Sequence, residues 1–396
     1  MTDDVGVLSI YVNREPQALS ETASAPWELR MRQQLGQLQE RLRQRGPRDH
    51  WRALVERVDE LAMDLNELVS PTSSGRGAAL FAQVARGGTR TVSLQVPLVD
   101  KVVLGPYACV RPLMAAWSAA GAAGVVTVSA EKLRFLDLRL GQVEIVGVIP
   151  YLTEVPEQDR LHGPAGDNPA LPQQSVNQRD LYERREIDKL TRFLRGIGPQ
   201  VTEHIRNRGW EFLVITGDPE LVQAVKEGLP RLSVEVITLE HPVNSLPPAV
   251  EVITLEHPVN SLPPAKVATV VEPALTEARQ RQQRELADRA RSNALAANTG
   301  ATGLGETLGA LREGRVDHLL MAADGEWIGS RGPDGFLVPE GEVAPMAEPA
   351  DMVPEPHLDD RMIEMALQQG ARVTVLEPPA AEPLAEADGI GALLRW

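Results

Sequence analysis

The sequence predicts a protein of mixed α/β and α+β class with three domains. Its 396 residues exceed the length of one ordinary domain, so two or three are expected. Hydrophobic residues make up 43% of the chain, enough to form buried cores, whereas aromatic residues make up only 4%. The cores must therefore consist mainly of Leu, Val, Ile and Ala. Helical and β-rich patterns also follow one another in three blocks along the chain.

The first block, residues 1–117, predicts a small N-terminal α/β domain. It opens with the β-rich run VGVLSIYVN at 5–13. Two amphipathic helices are predicted at 27–45 and 50–69, separated by a Gly-Pro turn. The runs TVSLQVPL and KVVLG then predict further strands before the block ends.

The second block, residues 118–267, predicts a ribonuclease-H-like middle domain. Three β-rich runs with short turns across 124–150 are typical of an antiparallel meander. A Pro- and Gly-rich loop follows at 152–180, and a long charged helix is predicted at 181–209. A strand, a helix and another strand complete the order of a layered sheet. The predicted buried side of the long helix consists of Leu190, Phe193, Leu194 and Ile197.

The middle block ends in a tandem repeat, since VEVITLEHPVNSLPPA occurs at 234–249 and again at 250–265. A solenoid would need at least three copies. The sheet offers one position for this strand, so we expect one copy to fill it and the other to loop out.

The third block, residues 268–396, predicts a C-terminal α/β/α sandwich. A charged helix at 272–297 precedes GATGLG, which lacks the strand that a phosphate-binding loop needs directly before it and is better read as a hinge. Two helix–strand pairs follow, the second with Gly370 as its helix stop, and the chain ends on a strand. The acidic, Pro- and Gly-rich stretch 329–358 between the pairs predicts a loop.

Composition and motifs exclude several classes of function. The net charge of −15 opposes capture of nucleic acid by the whole surface, and Cys109 is the only cysteine, so no disulfide framework is expected. The seven histidines form no metal-binding helix motif, and no G-x-S-x-G nucleophile elbow occurs. The start of the chain lacks signal-peptide order, and no apolar run is long enough to cross a bilayer. We therefore expect a cytoplasmic protein with no cofactor, no metal, no membrane and no DNA partner.

Two predicted helices are rich in basic residues, and each has two interpretations. The charges can form a solvated face with i,i+4 ion pairs, or they can contact RNA phosphates. The first helix and the residues just after it carry Arg30, Arg32, Arg41, Arg43, Arg45, Arg48 and Arg52. The second carries Arg184, Arg185, Lys189, Arg192 and Arg195.

The order of the three blocks, with VLSIYVNREP, TLGALREGRVDHLLM and ALQQGARVTVLEP…ADGIGALLRW, resembles the archaeo-eukaryotic peptide-chain release factor and Pelota superfamily, and most closely its bacterial relatives. The resemblance implies that the C-terminal sandwich is similar to the kink-turn-RNA-binding ribosomal-protein fold. It also implies the ribosome and its A site as the partner, contacted through rRNA, with tRNA and a translational GTPase as further candidates.

In the family that this chain resembles, the loop before the charged helix carries Gly-Gly-Gln and acts on peptidyl-tRNA. Gln174 and Ser175 match that pattern here, while Pro172 and Gln173 replace both glycines. Proline fixes φ and removes a donor, so the loop loses the backbone freedom that two glycines provide. The candidate ribosome-contact residues are Gln173, Gln174, Ser175, Arg179, Arg184, Arg185 and Lys189, with Gln174 as the candidate catalytic residue.

Three functions stay open at this point. The altered loop favours a ribosome-associated factor of the release factor or Pelota type that acts in rescue or hibernation and not in stop-codon termination. An enzyme alternative is a peptidyl-tRNA hydrolase that uses Gln174 on stalled ribosomes. The third is a stress-related protein-interaction module that never meets a ribosome, which the acidic net charge supports.

Overall fold

The structure is a computed structural model, and it describes residues 2–15, 26–151, 187–229, 251–255 and 262–396. Contacts divide the chain into two compact units. The first contains residues 1–120 together with 279–396, and the second contains residues 121–278. The predicted fold class, mixed α/β with several sheets, is confirmed. The three-domain boundaries stay a prediction.

The N-terminal segment of the first unit is an antiparallel sheet with helices on one face. Its sheet has the strand order β3-β2-β1-β4. Leucines and Trp27 of the helices pack on Leu8, Ile10 and Val12 of the central strand, and Trp27 donates from Nε1 to the carbonyl of Val69 at 2.8 Å. The elements are β1 (Thr2–Asn13), α1 (Pro26–Arg45), α2 (Arg48–Glu60), α3 (Ala62–Val69), β2 (Gly77–Gln83), β3 (Thr89–Leu94), β4 (Lys101–Tyr107) and α4 (Arg111–Ala120).

The helix predicted at 50–69 is divided into α2 and α3, with Leu61 between them outside helical geometry (φ −80°, ψ 4°). Leu61 is itself buried with the other helix leucines. The break therefore turns the second helical segment without removing its apolar face from the core.

The C-terminal segment of the first unit is a sandwich with helices on both faces of a four-stranded sheet, as predicted. The order is β10-β16-β11-β15, with β11 and β15 parallel. Leu319 and Met321 face α9 and α10, while Leu320 and Ala322 face the second half of α8. The elements are α8 (Pro264–Leu295), β10 (Gly300–Thr302), α9 (Leu304–Arg312), β11 (Val316–Ala322), β12 (Gly329–Arg331), β13 (Leu337–Pro339), β14 (Val353–Glu355), α10 (Leu358–Gln368), β15 (Arg372–Leu376), α11 (Pro378–Ala381) and β16 (Ile390–Leu394).

The prediction that 329–358 is a loop was wrong. Strands β12, β13 and β14 form a small antiparallel sheet in the order β13-β12-β14. Each strand has only three residues, and two of them contain proline. Runs this short carry no period-2 pattern, so the sequence signal was absent.

The second unit contains a five-stranded sheet in the order β7-β6-β5-β8-β9. The first three strands form the predicted antiparallel meander, and β8 and β9 run parallel to β5, which is the order predicted for a ribonuclease-H-like sheet. Helices α5 to α7 cover one face, and Val267, Val271 and Leu275 of α8 pack on the other. The elements are β5 (Ala123–Val128), β6 (Lys132–Arg139), β7 (Gln142–Pro150), α5 (187–195), α6 (Gly198–Arg208), β8 (Phe212–Gly217), α7 (Pro219–Gly228) and β9 (Glu251–Leu255).

Two details of this unit differ from the sequence predictions or refine them. The long helix predicted at 181–209 is broken at Gly196 and Ile197. Directly after the break, the backbones of Gly198 and Gly228 approach so closely that a Cβ on Gly198 would lie 2.0 Å from the Gly228 carbonyl oxygen. Strand β9 belongs to the second copy of the tandem repeat, and the first copy lies outside the described residues.

Candidate nucleic-acid interface

The turn between α1 and α2 carries a cluster of exposed arginines, Arg41, Arg45, Arg48 and Arg52, which we call the arginine tip. Helix α1 ends at Arg45 and α2 begins at Arg48 after Pro47, whose fixed φ of −61° suits the position before a helix. The short Gly46-Pro47 connection thus brings basic side chains of two helices to one end of the hairpin.

The structure separates the arginines of the first helix into two groups. Arg30, Arg32 and Arg43 pair with Asp100, Glu28 and Glu40 at 2.6, 2.7 and 2.8 Å. Within the described residues, no ion pair is recorded for the four arginines of the arginine tip. The solvated-face interpretation therefore describes the first group, and the arginine tip is the group available to an external anion.

The position of Arg48 in the first turn of α2 is unfavourable for the helix itself. The N-terminus of a helix carries partial positive charge, so cations there lose about 0.3–1 kcal/mol relative to anions. Asp49, also in the first turn, offsets part of this repulsion. Arg48 thus opposes the helix dipole and forms no ion pair within the described residues, and such departures from local rules are expected at functional sites.

Tyr151, the residue directly before the predicted loop, contacts helix α5. After β7 the ring of Tyr151 packs edge-on against Phe193 of α5, with ring centroids 5.6 Å apart. Tyr151 also donates its N–H to the Glu131 carbonyl at 2.9 Å, and burial raises the pKa of its hydroxyl. The end of β7 therefore lies beside helix α5, and this aromatic pair forms the contact between them.

Phe193 was predicted to be buried, and this was wrong, because 45% of the residue is exposed. Leu194 and Ile197 are buried as predicted, and Leu190 is half-buried. The sequence analysis missed Tyr151, although an aromatic residue directly before a Pro- and Gly-rich stretch is a usable signal in a chain with four tyrosines.

Of the candidate contact residues, only Lys189 is described, and it lies exposed on α5. On the same helix Arg192 is exposed, while Arg195 pairs with Glu227 at 2.8 Å. The remaining candidates lie outside the described residues: Gln173, Gln174, Ser175, Arg179, Arg184 and Arg185.

The negative charge of the chain is concentrated at its C-terminal end. Residues 299–396 contain 18 Asp and Glu against six Arg and no Lys, a net charge of −12, which leaves −3 for residues 1–298. RNA phosphates are attracted by Lys and Arg and repelled by carboxylates, so this distribution opposes RNA binding by the C-terminal sandwich. It is compatible with RNA contacts at the arginine tip and α5.

In the part of the chain that the structure describes, one cluster has the residue types of a metal site: His357, Asp359 and Asp360, whose ligand atoms lie within 4.8 Å of one another. Both carboxylates already have partners. Asp359 accepts from Arg111 at 3.0 Å, and Asp360 accepts from the N–H groups of Val110 and Arg111 at 2.8 and 3.1 Å. Burial and the neighbouring Asp359 raise the pKa of Asp360, which also disfavours a fully charged ligand set. The cluster therefore fits a structural network better than a cation.

The family model described as "Bacterial archaeo-eukaryotic release factor family 10" matches residues 109–260, which include α4, the five-stranded sheet and the predicted loop. The resemblance predicted from the sequence is thereby confirmed. No curated protein matches the chain. Among the described residues, no helix is long and apolar enough to span a membrane.

Several solved structures match the chain. An archaeal translation termination factor, aRF1, is 15% identical with a TM-score of 0.22, over 100% of this chain and 94% of that one. Pelota of Archaeoglobus fulgidus is 14% identical with a TM-score of 0.31, over 81% and 79%. S. cerevisiae Dom34, described as a translation termination-like factor that interacts with Hbs1, is 8% identical with a TM-score of 0.37, over 81% and 79%. Similarity at this level carries no inference about function.

Proposed function

We propose that this chain, a bacterial relative of the archaeo-eukaryotic release factors, is a ribosome-associated translation factor that acts in rescue or hibernation. The observation that carries the proposal is the arginine tip, which supplies exposed cations that form no ion pair within the described residues, in a chain that is otherwise acidic. Arginine contacts phosphate with a planar, permanently charged fork, and rRNA offers phosphates at high density. The proposed partners are rRNA and tRNA, with a translational GTPase as a further candidate.

The first test measures sedimentation of the purified protein with ribosomes across a range of salt concentrations. Replacing Arg45 and Arg48 with Gln removes two unpaired cations. We expect the affinity to fall about tenfold at moderate salt, and the slope of log K against log salt to become less steep by about 1.5. Circular dichroism and the melting temperature should be unchanged, because both side chains are exposed.

The matched control replaces Arg32 and Arg43 with Gln, which removes the same charge from the same hairpin. Both residues pair with a glutamate one turn away, so each pair contributes little net positive field. We expect the control to retain at least half of the wild-type affinity. An equal loss of affinity in the two variants would mean that the net charge alone explains the effect. Failure of the wild-type protein to sediment with ribosomes even at low salt would reject the proposed function.

The second candidate function is peptidyl-tRNA hydrolysis by Gln174, and it is supported by the match of Gln174-Ser175 to the family pattern. We expect no hydrolysis, since Pro172 and Gln173 replace the glycines that give the loop its backbone freedom. The measurement is release of labelled peptide from stalled ribosome complexes. Release that disappears in Gln174→Ala and persists in Gln173→Ala would make the protein a hydrolase.

A gain-of-function variant makes the negative result informative. The double variant Pro172→Gly, Gln173→Gly restores Gly-Gly-Gln-Ser in sequence. If the backbone is what prevents hydrolysis, this variant should release peptide, and the further change Gln174→Ala should remove that activity. A variant that sediments with ribosomes but stays inactive would show that the loop residues are not what prevents release.

A further inference from the structure

Helix α4 begins at a cap that comes from the other end of the chain. The Oδ1 atom of Asp360 accepts hydrogen bonds from the N–H groups of Val110 and Arg111 at 2.8 and 3.1 Å. A capping side chain usually belongs to the residue directly before the helix. Here it lies in the first turn of α10, about 250 positions along the sequence. The start of α4 therefore loses its hydrogen-bond partner whenever the C-terminal segment is absent or displaced.

Arg111, the first residue of α4, joins the same contact with its side chain. Its guanidinium donates to Asp359 at 3.0 Å and to the carbonyls of Ala322 and Ala323 at 2.8 Å each, and it lies 5.0 Å from the ring centroid of Trp327. Only about a tenth of each side chain in the Arg111–Asp359 pair is exposed. A buried charge held by several acceptors cannot be released without leaving those acceptors unpaired.

The other end of α4 is held by the same C-terminal segment. Ser118 Oγ accepts from the N–H of Val375 on β15 at 2.9 Å. The Ser118 carbonyl accepts from Gln283 at 3.2 Å, and the Oε1 atom of Gln283 accepts from the N–H of Glu377 at 3.0 Å. The last turn of α4 thus lies against both β15 and α8, so the C-terminal segment holds both ends of the helix.

We propose that Arg111, Asp359 and Asp360 form a latch that locks residues 1–120 and 279–396 into one cooperative body, which opens only by breaking all of its contacts together. The proposal goes beyond the proposed function, because it concerns how the arginine tip is held. A partner bound to the acidic C-terminal segment would fix the arginine tip through the latch instead of through a flexible connection.

The only cysteine of the chain reports directly on the latch. Cys109 precedes α4 and is 2% exposed, its N–H is bonded to Ser9 Oγ at 3.0 Å, and its carbonyl accepts from the hydroxyl of Tyr11. Burial raises the pKa of its thiol, so the reactive thiolate is suppressed as long as the latch is closed. Reaction of Cys109 with a thiol reagent therefore measures opening, in the full chain and without any introduced label.

The test compares the labelling rate of Cys109 in the wild-type chain and in Arg111→Met under native conditions. Methionine keeps much of the apolar stem of arginine and removes the charge and its donors. We expect labelling at least tenfold faster than in wild type, with the far-ultraviolet circular dichroism unchanged. The milder variants Asp360→Asn and Ser118→Ala should also speed labelling, by smaller factors, and they serve if Arg111→Met fails to fold.

The matched control is Arg284→Met, which removes an exposed arginine that pairs with Glu382 at 2.8 Å in the C-terminal segment. Its labelling rate should stay within twofold of wild type. The latch is overturned if Arg111→Met, Asp360→Asn and Ser118→Ala all stay within twofold, or if the control speeds labelling as much as they do. It is equally overturned if wild-type Cys109 reacts as fast as it does in denaturant.

Discussion

Two sheets in this chain end on a strand parallel to its neighbour, β15 beside β11 and β9 beside β8. Strand β15 is fixed in place by side chains: Thr374 Oγ1 lies 2.7 Å from His318 Nε2, and Ser118 Oγ accepts from Val375. Its sequence occurs once in the chain. The sequence of β9 occurs twice, so the strand sequence alone does not determine which copy fills the position beside β8.

The lengths of the connections do not decide it either. With the second copy in place, 22 residues join α7 to β9 and eight join β9 to α8; with the first copy the two connections would have six and 24 residues. Since closure entropy grows only with the logarithm of length, the two arrangements differ by about 0.2 kcal/mol. The two sheets therefore show that the sequence of a segment determines whether it forms a strand. The position of that strand in the sheet is determined by contacts with residues outside the strand.

The largest expected effect comes from disabling both copies of the repeat. Successive N–H groups of a strand point to opposite sides, so prolines at two neighbouring positions must remove one bond to β8. We expect Ile253→Pro with Thr254→Pro to lower the free energy of unfolding by less than about 0.5 kcal/mol, because the identical first copy replaces the second. Adding Ile237→Pro and Thr238→Pro should cost about 2–3 kcal/mol in total, a drop of about 5–10 °C in the melting temperature.

The matched control is the pair Ile237→Pro, Thr238→Pro alone, which changes the same letters in the copy that does not form β9 here. Its melting temperature should equal that of the wild type. The proposed difference between the two sheets is wrong if prolines in the second copy alone lower the free energy of unfolding as much as prolines in both copies. In that case the link to α8 fixes β9 as firmly as side chains fix β15.

The same contrast explains what could be predicted from the sequence. Strands and helices with a clear apolar period were found, including the meander of β5 to β7 and the pair α10–β15 with its Gly370 stop, where φ is +69°. The contacts that place them were not found. Arg111 meets Asp359 across 248 positions, and no local pattern connects residues so far apart.

The candidate site shows the same limit. The sequence identified all arginines of the first helix but could not tell Arg43, which pairs with Glu40, from Arg45, for which the described residues show no ion pair. In the sequence, both arginines have acidic neighbours at helical spacing. The distinction depends on side-chain geometry, which spacing alone does not fix.

A smaller effect should come from His318, the residue that links β11 to β15. It is 4% exposed, and burial, with the charges of Arg372 and Arg289, lowers its pKa to about 3. The unfolded chain takes up the proton near pH 6.5, so the stabilisation is fully present above that pH and is lost as the pH falls toward 3. At pH 4.5 we expect the folded state to lose about 2 kcal/mol from this residue alone, measured by denaturant unfolding between pH 7 and pH 4.5.

The control is His318→Gln, which can still bond to Thr374 but does not titrate. The carboxylates of the chain contribute equally in both proteins, including the neighbouring Asp317, which pairs with Arg372 at 3.2 Å. The difference in unfolding free energy between wild type and variant should therefore shrink by about 2 kcal/mol from pH 7 to pH 4.5. If that difference stays constant, His318 is accessible to protons in the folded state, and β15 is fixed beside β11 by its backbone pairing and by Ser118, with no need for a buried neutral imidazole.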